Sequence, residues 1–470
     1  MIYLLLLPAA IMLILSFWSV RKTRFVLPVT SLFILFPSIR LFILGKPYSI
    51  WGNYLVADDL SAYVMLVSSI VAIGVTLSVS TLGLHVEISN SAYSKFYRFF
   101  AIFWIGLTIS ILANDMGLYW IGLETATLST VYMIKTNNTT MARREAWNYM
   151  IVGAIAISLV LFGIILIYAS AKPILGEEAM KFSALLGSAK EIKSPFLFEI
   201  GFAITILGMF IKMGFFPMNL WLANVERASF YPIAALFSGI LESAVIIGFF
   251  RFTKIAQLIN PLHVFIFVFI YTILTIFIVS FLIYRSKDFM RLFSLSGVEH
   301  MALIALFWAA GGAFGALLHF GAHAFLKPAL FLSTGILESK GKYKIAGALK
   351  GYSGIKGKIF YFLTALFLLS IISLPPSPMF FSELYGFSSM IQIAKENKHL
   401  LLMIGAIVFL LVLLSIIFYR FVEIYQSMKY EGVEEKRVVY GNEVLALLVF
   451  ALSLAGLLTP WTFEFLRGIS

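Results

Sequence analysis

Three titratable side chains, His319, His323 and Lys327, stand four residues apart in the segment LLHFGAHAFLKPALF. On a helix, positions i, i+4 and i+8 share one face. Each imidazole has one donor and one acceptor nitrogen, so such a row can pass protons along its length. A packed, hydrogen-bonded histidine explains a lone residue well, but it explains a stripe of three less readily. Zinc is a rival occupant for His319 and His323. The sequence offers no third ligand nearby, however, and no metal is assigned.

Further ionisable residues fall within apolar runs. Glu124 lies in LYWIGLETATLSTVYMI with nothing basic close in sequence, so any partner comes from another helix. Lys212 lies in GMFIKMGFFPMNLW, ahead of Pro217, and Glu383 lies in SLPPSPMFFSEL behind Pro375, Pro376 and Pro378. A charge at mid-bilayer costs about 2.5–3.5 kcal/mol on insertion scales, so it faces protein or water. A nearby proline removes a backbone donor and frees carbonyls that can hold water. Glu242 in SGILESAVIIGFF fits either a relay member or a carboxyl at a helix start. Glu299 and His300 lie near a cytoplasmic helix end, where they are expected to be solvated.

These residues must be held by membrane-spanning helices. Of the 470 residues 61% are hydrophobic and 12% charged, and mean hydropathy is +0.97. A soluble surface needs far more charge. The apolar runs predict an all-α integral membrane protein of about fourteen transmembrane helices. Their spans are 2–20, 25–45, 60–83, 96–113, 116–134, 147–170, 199–222, 231–251, 261–283, 292–310, 314–337, 357–391, 400–427 and 440–462. The span 357–391 is too long for one straight crossing and is expected to break at its prolines. The interrupted helices, seventh and twelfth, are five apart, as in two inverted five-helix repeats each with a broken helix. The organisation is then 1–95 for the first three helices, 96–251 and 261–427 for the repeats, and 428–470 for the last helix.

Loops after odd-numbered spans carry most of the Lys and Arg, among them Arg21, Lys22, Arg24, Arg143 and Arg144. They also include Lys340, Lys342, Lys344, Lys350, Lys429, Lys436 and Arg437. Loops after even spans carry chiefly Lys46, Lys254, Lys395 and Lys398. The positive-inside rule places the basic loops in the cytoplasm and both termini outside. Met1 to Val20 is apolar with its basic cluster behind it, so it is expected to remain as the first helix. The net charge of +12 thus serves orientation, not nucleic-acid binding. Zero cysteines exclude disulfides, Cys-ligated zinc and Cys-ligated iron–sulfur clusters. No cofactor is expected on this chain, no nucleotide-binding loop is evident, and any redox chemistry must sit on another chain.

The block LLHFGAHAFLKPALFLSTG resembles the H-x-x-x-H-A-x-x-K-x-x-L-F-L-x-x-G of the antiporter-like membrane subunits. That family is shared by respiratory complex I, multisubunit cation/proton antiporters and group 4 membrane-bound hydrogenases. IKMGFFPMNLWL with ALFSG, LPPSPMFFSE and YWIGLE follow the same likeness, and KDFMRLFSLSGVEHMALIAL is similar to the hydrogenase and formate hydrogenlyase branch. The resemblance implies that Glu124 and Lys212 match a buried carboxylate–lysine pair. His319, His323 and Lys327 would match the central relay, and Glu383 the charged residue of the second broken helix. There are departures. Ser243, beside Glu242, stands where the family commonly has a lysine, Asn148 stands at another lysine position, and WLANVE lacks the family's Asp and His.

The expectation is a proton- or Na⁺/H⁺-translocating membrane subunit of a redox-driven complex in a prokaryotic cell membrane. Other membrane subunits and peripheral iron–sulfur subunits would be its partners. A subunit of a stand-alone Mrp-type antiporter, or a non-conducting structural subunit, are the alternatives.

Overall fold

The computed structural model describes residues 3–15, 26–44, 47–82, 90–192, 194–286, 289–338, 354–396, 400–427 and 439–469. Most of the orienting basic residues lie outside them: Arg21, Lys22, Arg24, Lys46, Lys340, Lys342, Lys344, Lys350, Lys398, Lys429, Lys436 and Arg437.

Long apolar segments without water partners must satisfy their backbone internally, and helices do so. In chain order the helices are α1 (Tyr3–Leu15), α2 (Val26–Leu44), α3 (Asp59–Leu82), α4 (Asn90–Leu112), α5 (Met116–Ile134), α6 (Thr140–Leu175) and α7 (Phe182–Ser188). There follow α8 (Pro195–Lys212), α9 (Leu220–Ala228), α10 (Tyr231–Leu236), α11 (Glu242–Ile259), α12 (Pro261–Arg285), α13 (Phe289–Ala309) and α14 (Ala313–Glu338). The series ends with α15 (Gly354–Ile371), α16 (Pro378–Glu396), α17 (Leu400–Ser427), α18 (Gly441–Leu457) and α19 (Pro460–Ile469). One antiparallel hairpin, β1 (Tyr48–Ile50) with β2 (Leu55–Ala57), pairs Tyr48 with Ala57. Among the described residues eight helices are long and apolar enough to cross a membrane, or nine if the bent pair α18 and α19 counts as one span.

The chain forms two compact units. The first comprises Met1–Ser69, Ser89–Trp221 and Ile240–Tyr271. Here α6 and α8 lie backbone to backbone. A side chain at Gly163 would collide with Thr205 Oγ1, and one at Gly208 with the carbonyl of Ala156. Small residues of this kind let helices approach in an apolar medium. Asp115 caps α5 by accepting from Leu118 N at 2.9 Å, and Thr139 caps α6 by accepting from Ala142 N at 3.0 Å. Asp58 caps α3 through Ser61 N at 2.8 Å. Arg251 of α11 reaches Asp58 Oδ2 at 3.2 Å and Ser61 Oγ at 2.7 Å, and it also donates to the carbonyl of Ala113.

The second unit comprises Ile70–Ile88, Leu222–Gly239 and Thr272–Ser470. Its core is α13 and α14. Every residue of α13 except Arg291 is buried, and α14 packs against α10, α13, α16 and α18. A helix apolar all round belongs in such an interior. The charged members of α13 and α14 are therefore exceptions that need partners.

Two interruptions matter for the site. After α8, Gly214 takes φ +75° and Pro217 falls in the seven-residue stretch before α9 begins at Leu220. After α15, Pro375 and Pro376 lie between the helices, and Pro378 is the first residue of α16. In that second gap Ser373 holds φ +57°, a left-handed conformation that a residue with a Cβ adopts at a cost.

Candidate functional site

In the first unit Lys212 is the last residue of α8 and is buried. Its ammonium donates to Thr127 Oγ1 on α5 and stands 5.8 Å from the centre of the Tyr149 ring. Thr127 is one helical turn from Glu124, on the same face. Thr127 gives its own hydrogen to the Leu123 carbonyl, so Lys212 and Glu124 interact through their charges without a bridging hydroxyl. Glu124 is half-buried, and its Oε2 lies buried with no hydrogen-bond partner. Gly153 faces the ammonium: a Cβ there would make ordinary contacts, 3.8 Å from Lys212 Nζ and 3.4 Å from Thr127 Cγ2. Asn148 is not idle, since its amide donates to Glu145 Oε2 at 3.1 Å. Glu242 is buried at the start of α11, with Ser243 fully buried beside it.

The second unit holds the denser cluster. His319, His323 and Lys327 are buried on α14, and Lys327 Nζ donates to the carbonyl of Phe293 at 2.8 Å. Glu299 and His300 are not solvated as their sequence position suggests. They are 1% and 3% exposed, because α13 lies inside the unit and not at its edge. His300 Nδ1 lies 3.0 Å from His319 Nε2, and His300 Nε2 lies 3.6 Å from Glu299 Oε2. The rings of His300 and His323 are 5.8 Å apart. On α16, Ser382 Oγ sits 2.9 Å from His319 Nδ1. Glu383 is half-buried and accepts from Ser373 Oγ at 2.5 Å. One donor atom each from His300, His319 and Glu383 lies within 4.8 Å of the others. That spacing would suit a metal, and the triad includes His319 but not His323.

Several residues in these clusters were not singled out from the sequence. Glu226 on α9 is fully buried beside Ser294, whose hydroxyl already donates to Met290 at 2.7 Å. Its charge also interacts with that of Lys327. The stretch WLANVE read as a loss of polar groups, yet it supplies this carboxylate. Thr127, Ser373 and Ser382 are ordinary hydroxyls in apolar text. Only the i+3 spacing of Thr127 from Glu124 could have flagged one of them.

An all-helical, multi-pass membrane protein with lysines, carboxylates and histidines buried in its interior belongs to the ion-handling class. The model of the family described as NADH:quinone oxidoreductase/Mrp antiporter, TM matches residues 113–415, and the chain belongs to that family. A hydrogenase-4 component F homolog of Methylacidiphilum infernorum is 31% identical over 350 residues, 72% of this chain and 73% of that one. Two solved structures share the fold. A chain of the archaeal membrane-bound sulfane sulfur reductase, a respiratory membrane complex, has TM-score 0.84 at 19% identity, covering 99% of this chain and 95% of that one. A chain of the Mrp complex from a Dietzia species has TM-score 0.81 at 16% identity, with 99% and 95% covered.

Proposed function

We propose that this chain is an antiporter-like, ion-translocating membrane subunit of a multisubunit respiratory-type complex, moving H⁺ or exchanging Na⁺ for H⁺. The observation that carries this reading is the buried row of titratable groups on α13, α14 and α16: Lys327, Glu299, His323, His300, His319 and Glu383. Keeping so many ionisable groups out of water is costly, and the cost is offset by function more plausibly than by stability.

In this reading the chain crosses the membrane about fourteen times, with 96–251 and 261–427 as inverted repeats and both termini outside a prokaryotic cell membrane. Glu124, Lys212 and Glu242 serve the first repeat. His319, His323, Lys327 and Glu383 serve the second, and the broken helices at Pro217 and at Pro375, Pro376 and Pro378 supply free carbonyls. Moving the Lys212 ammonium between Thr127 and Glu124 changes the field at both charges, so conformational change and proton release are linked. The driving redox chemistry would sit on partner chains that carry iron–sulfur clusters, as this chain has no cysteine. The likeness to the Mrp complex keeps a gradient-driven antiporter as the second reading.

The test is ion uptake into sealed vesicles holding the assembled complex, recorded alongside electron transfer. Lys212→Ala and Glu383→Gln are expected to lower uptake about tenfold or more while assembly persists. Unchanged uptake and turnover in both variants would make the buried charges structural.

A further inference from the structure

We infer that Ser382 is a positioning residue: it fixes His319 in the tautomer that carries its proton on Nδ1, leaving Nε2 as the only nitrogen that exchanges protons. The inference rests on the translocation reading above.

Ser382 Oγ donates to the carbonyl of Met379 at 2.6 Å, and a carbonyl can only accept. The hydroxyl has one hydrogen, so toward His319 Nδ1, at 2.9 Å, Ser382 must act as acceptor. His319 Nδ1 therefore carries a hydrogen, and its Nε2 is a lone pair. That lone pair faces His300 Nδ1 at 3.0 Å, so His300 Nδ1 is the donor. The remaining nitrogen, His300 Nε2, stands 3.6 Å from Glu299 Oε2, just beyond hydrogen-bond length. All four side chains are buried, with Ser382 and His319 fully so. The chain of bonds thus has one polarity, running from His300 through His319 to Ser382 and ending at Met379.

The polarity prescribes the step. A proton passes from Glu299 Oε2 to His300 Nε2 once the two atoms close from 3.6 Å to hydrogen-bond length. The Nδ1–H bond of His300 breaks as an Nε2–H bond forms on His319, which becomes the imidazolium. Its Nδ1 hydrogen cannot continue, because beyond Ser382 stands a carbonyl. The proton leaves by Nε2, either back to His300 or onward to Glu383, whose carboxylate lies within the 4.8 Å grouping. Ser382 makes His319 a branch point with a single gate and not a link in a straight wire.

The experiment compares Ser382→Ala and Ser382→Thr with wild type in the assembled complex. It records ion uptake per electron and infrared difference spectra with ring-¹⁵N histidine, whose ring modes report the tautomer. Ser382→Ala is expected to lose about tenfold or more in uptake, as a misplaced tautomer does in other proton relays, and to shift the tautomer band. Ser382→Thr, which keeps the hydroxyl, should retain both. An alanine variant that pumps normally, or that keeps the wild-type band, overturns the inference. So does an assembled threonine variant as impaired as alanine, since packing would then be the cause. If Lys212→Ala and Glu383→Gln also pump normally, it is the translocation reading that fails. If they are impaired and Ser382→Ala is not, only the role of Ser382 fails.

Discussion

At Gly297 and Gly153 the smallest side chain stands against the two lysines. A Cβ on Gly297 would lie 3.9 Å from both His323 Nε2 and Lys327 Cε, as one on Gly153 would lie near Lys212 Nζ. These are ordinary contact distances, so alanine fits at 297, whereas a leucine would fill the space in which Lys327 must move. Gly297→Ala is expected to assemble and pump like wild type. Gly297→Leu should assemble yet lose about tenfold or more in uptake, since a misplacement of 1 Å is enough to cost that much. Uptake measured on both variants decides it, and a leucine variant that pumps normally would show that the space is not used. The same scale explains why Glu226 matters: a fully buried carboxyl group is strongly sensitive to the charge of Lys327.

Among the elements, α3 and α11 are tied at one end by the Asp58–Arg251 pair. Asp58 stands one residue ahead of the span that begins at Asp59. Burial on its own pushes the Asp58 carboxyl up, but the Arg251 guanidinium and the bonds from Ser61 outweigh it and hold the group below its ordinary value of 3.8. A lowered folded-state value stabilises above the ordinary carboxylate range, and that stabilisation is lost as pH falls through the folded value. The thermal stability of wild type should therefore fall on acidification below about pH 4, and Asp58→Asn should remove this part of the pH dependence. The half-exposed carboxyl makes the cost of that substitution modest, about 1 kcal/mol at neutral pH. A variant with the wild-type acid profile would assign the effect elsewhere.

This tie also shows what the sequence could and could not reveal. The helices, the prolines around α9 and α16, and the stripe His319, His323 and Lys327 are periodic or bulky signals, and they were legible. The partners are not periodic. Asp58 and Arg251 are 193 positions apart, and their meeting depends on tertiary packing alone. Glu299 and His300 were misplaced because distance from a loop, counted in residues, does not measure depth when a helix is buried along its whole length. Ser382 and Thr127 act through one hydroxyl each, and hydroxyls are common enough in apolar helices to carry no signal until a neighbour is seen.

For the whole molecule, topology is the open quantity, and a chain without cysteine is suited to measuring it. Helix α6 has 36 residues, about 54 Å of rise, which exceeds the hydrocarbon core of roughly 30 Å. Arg144 near its start and Glu177 just beyond its end have side chains 77% and 85% exposed. Arg144→Cys is expected to react with a membrane-impermeant maleimide from the cytoplasmic side only, and Glu177→Cys from the outside only. Labelling of both from one face would overturn the alternation on which the fourteen-span count depends.

Ser373 is held left-handed in the gap before α16 while its hydroxyl grips Glu383. Glycine would accept that backbone without complaint, whereas serine forgoes about 1 kcal/mol there. The chain is thus less robust than a one-residue change could make it, and what it keeps in exchange is a leash on a single carboxylate.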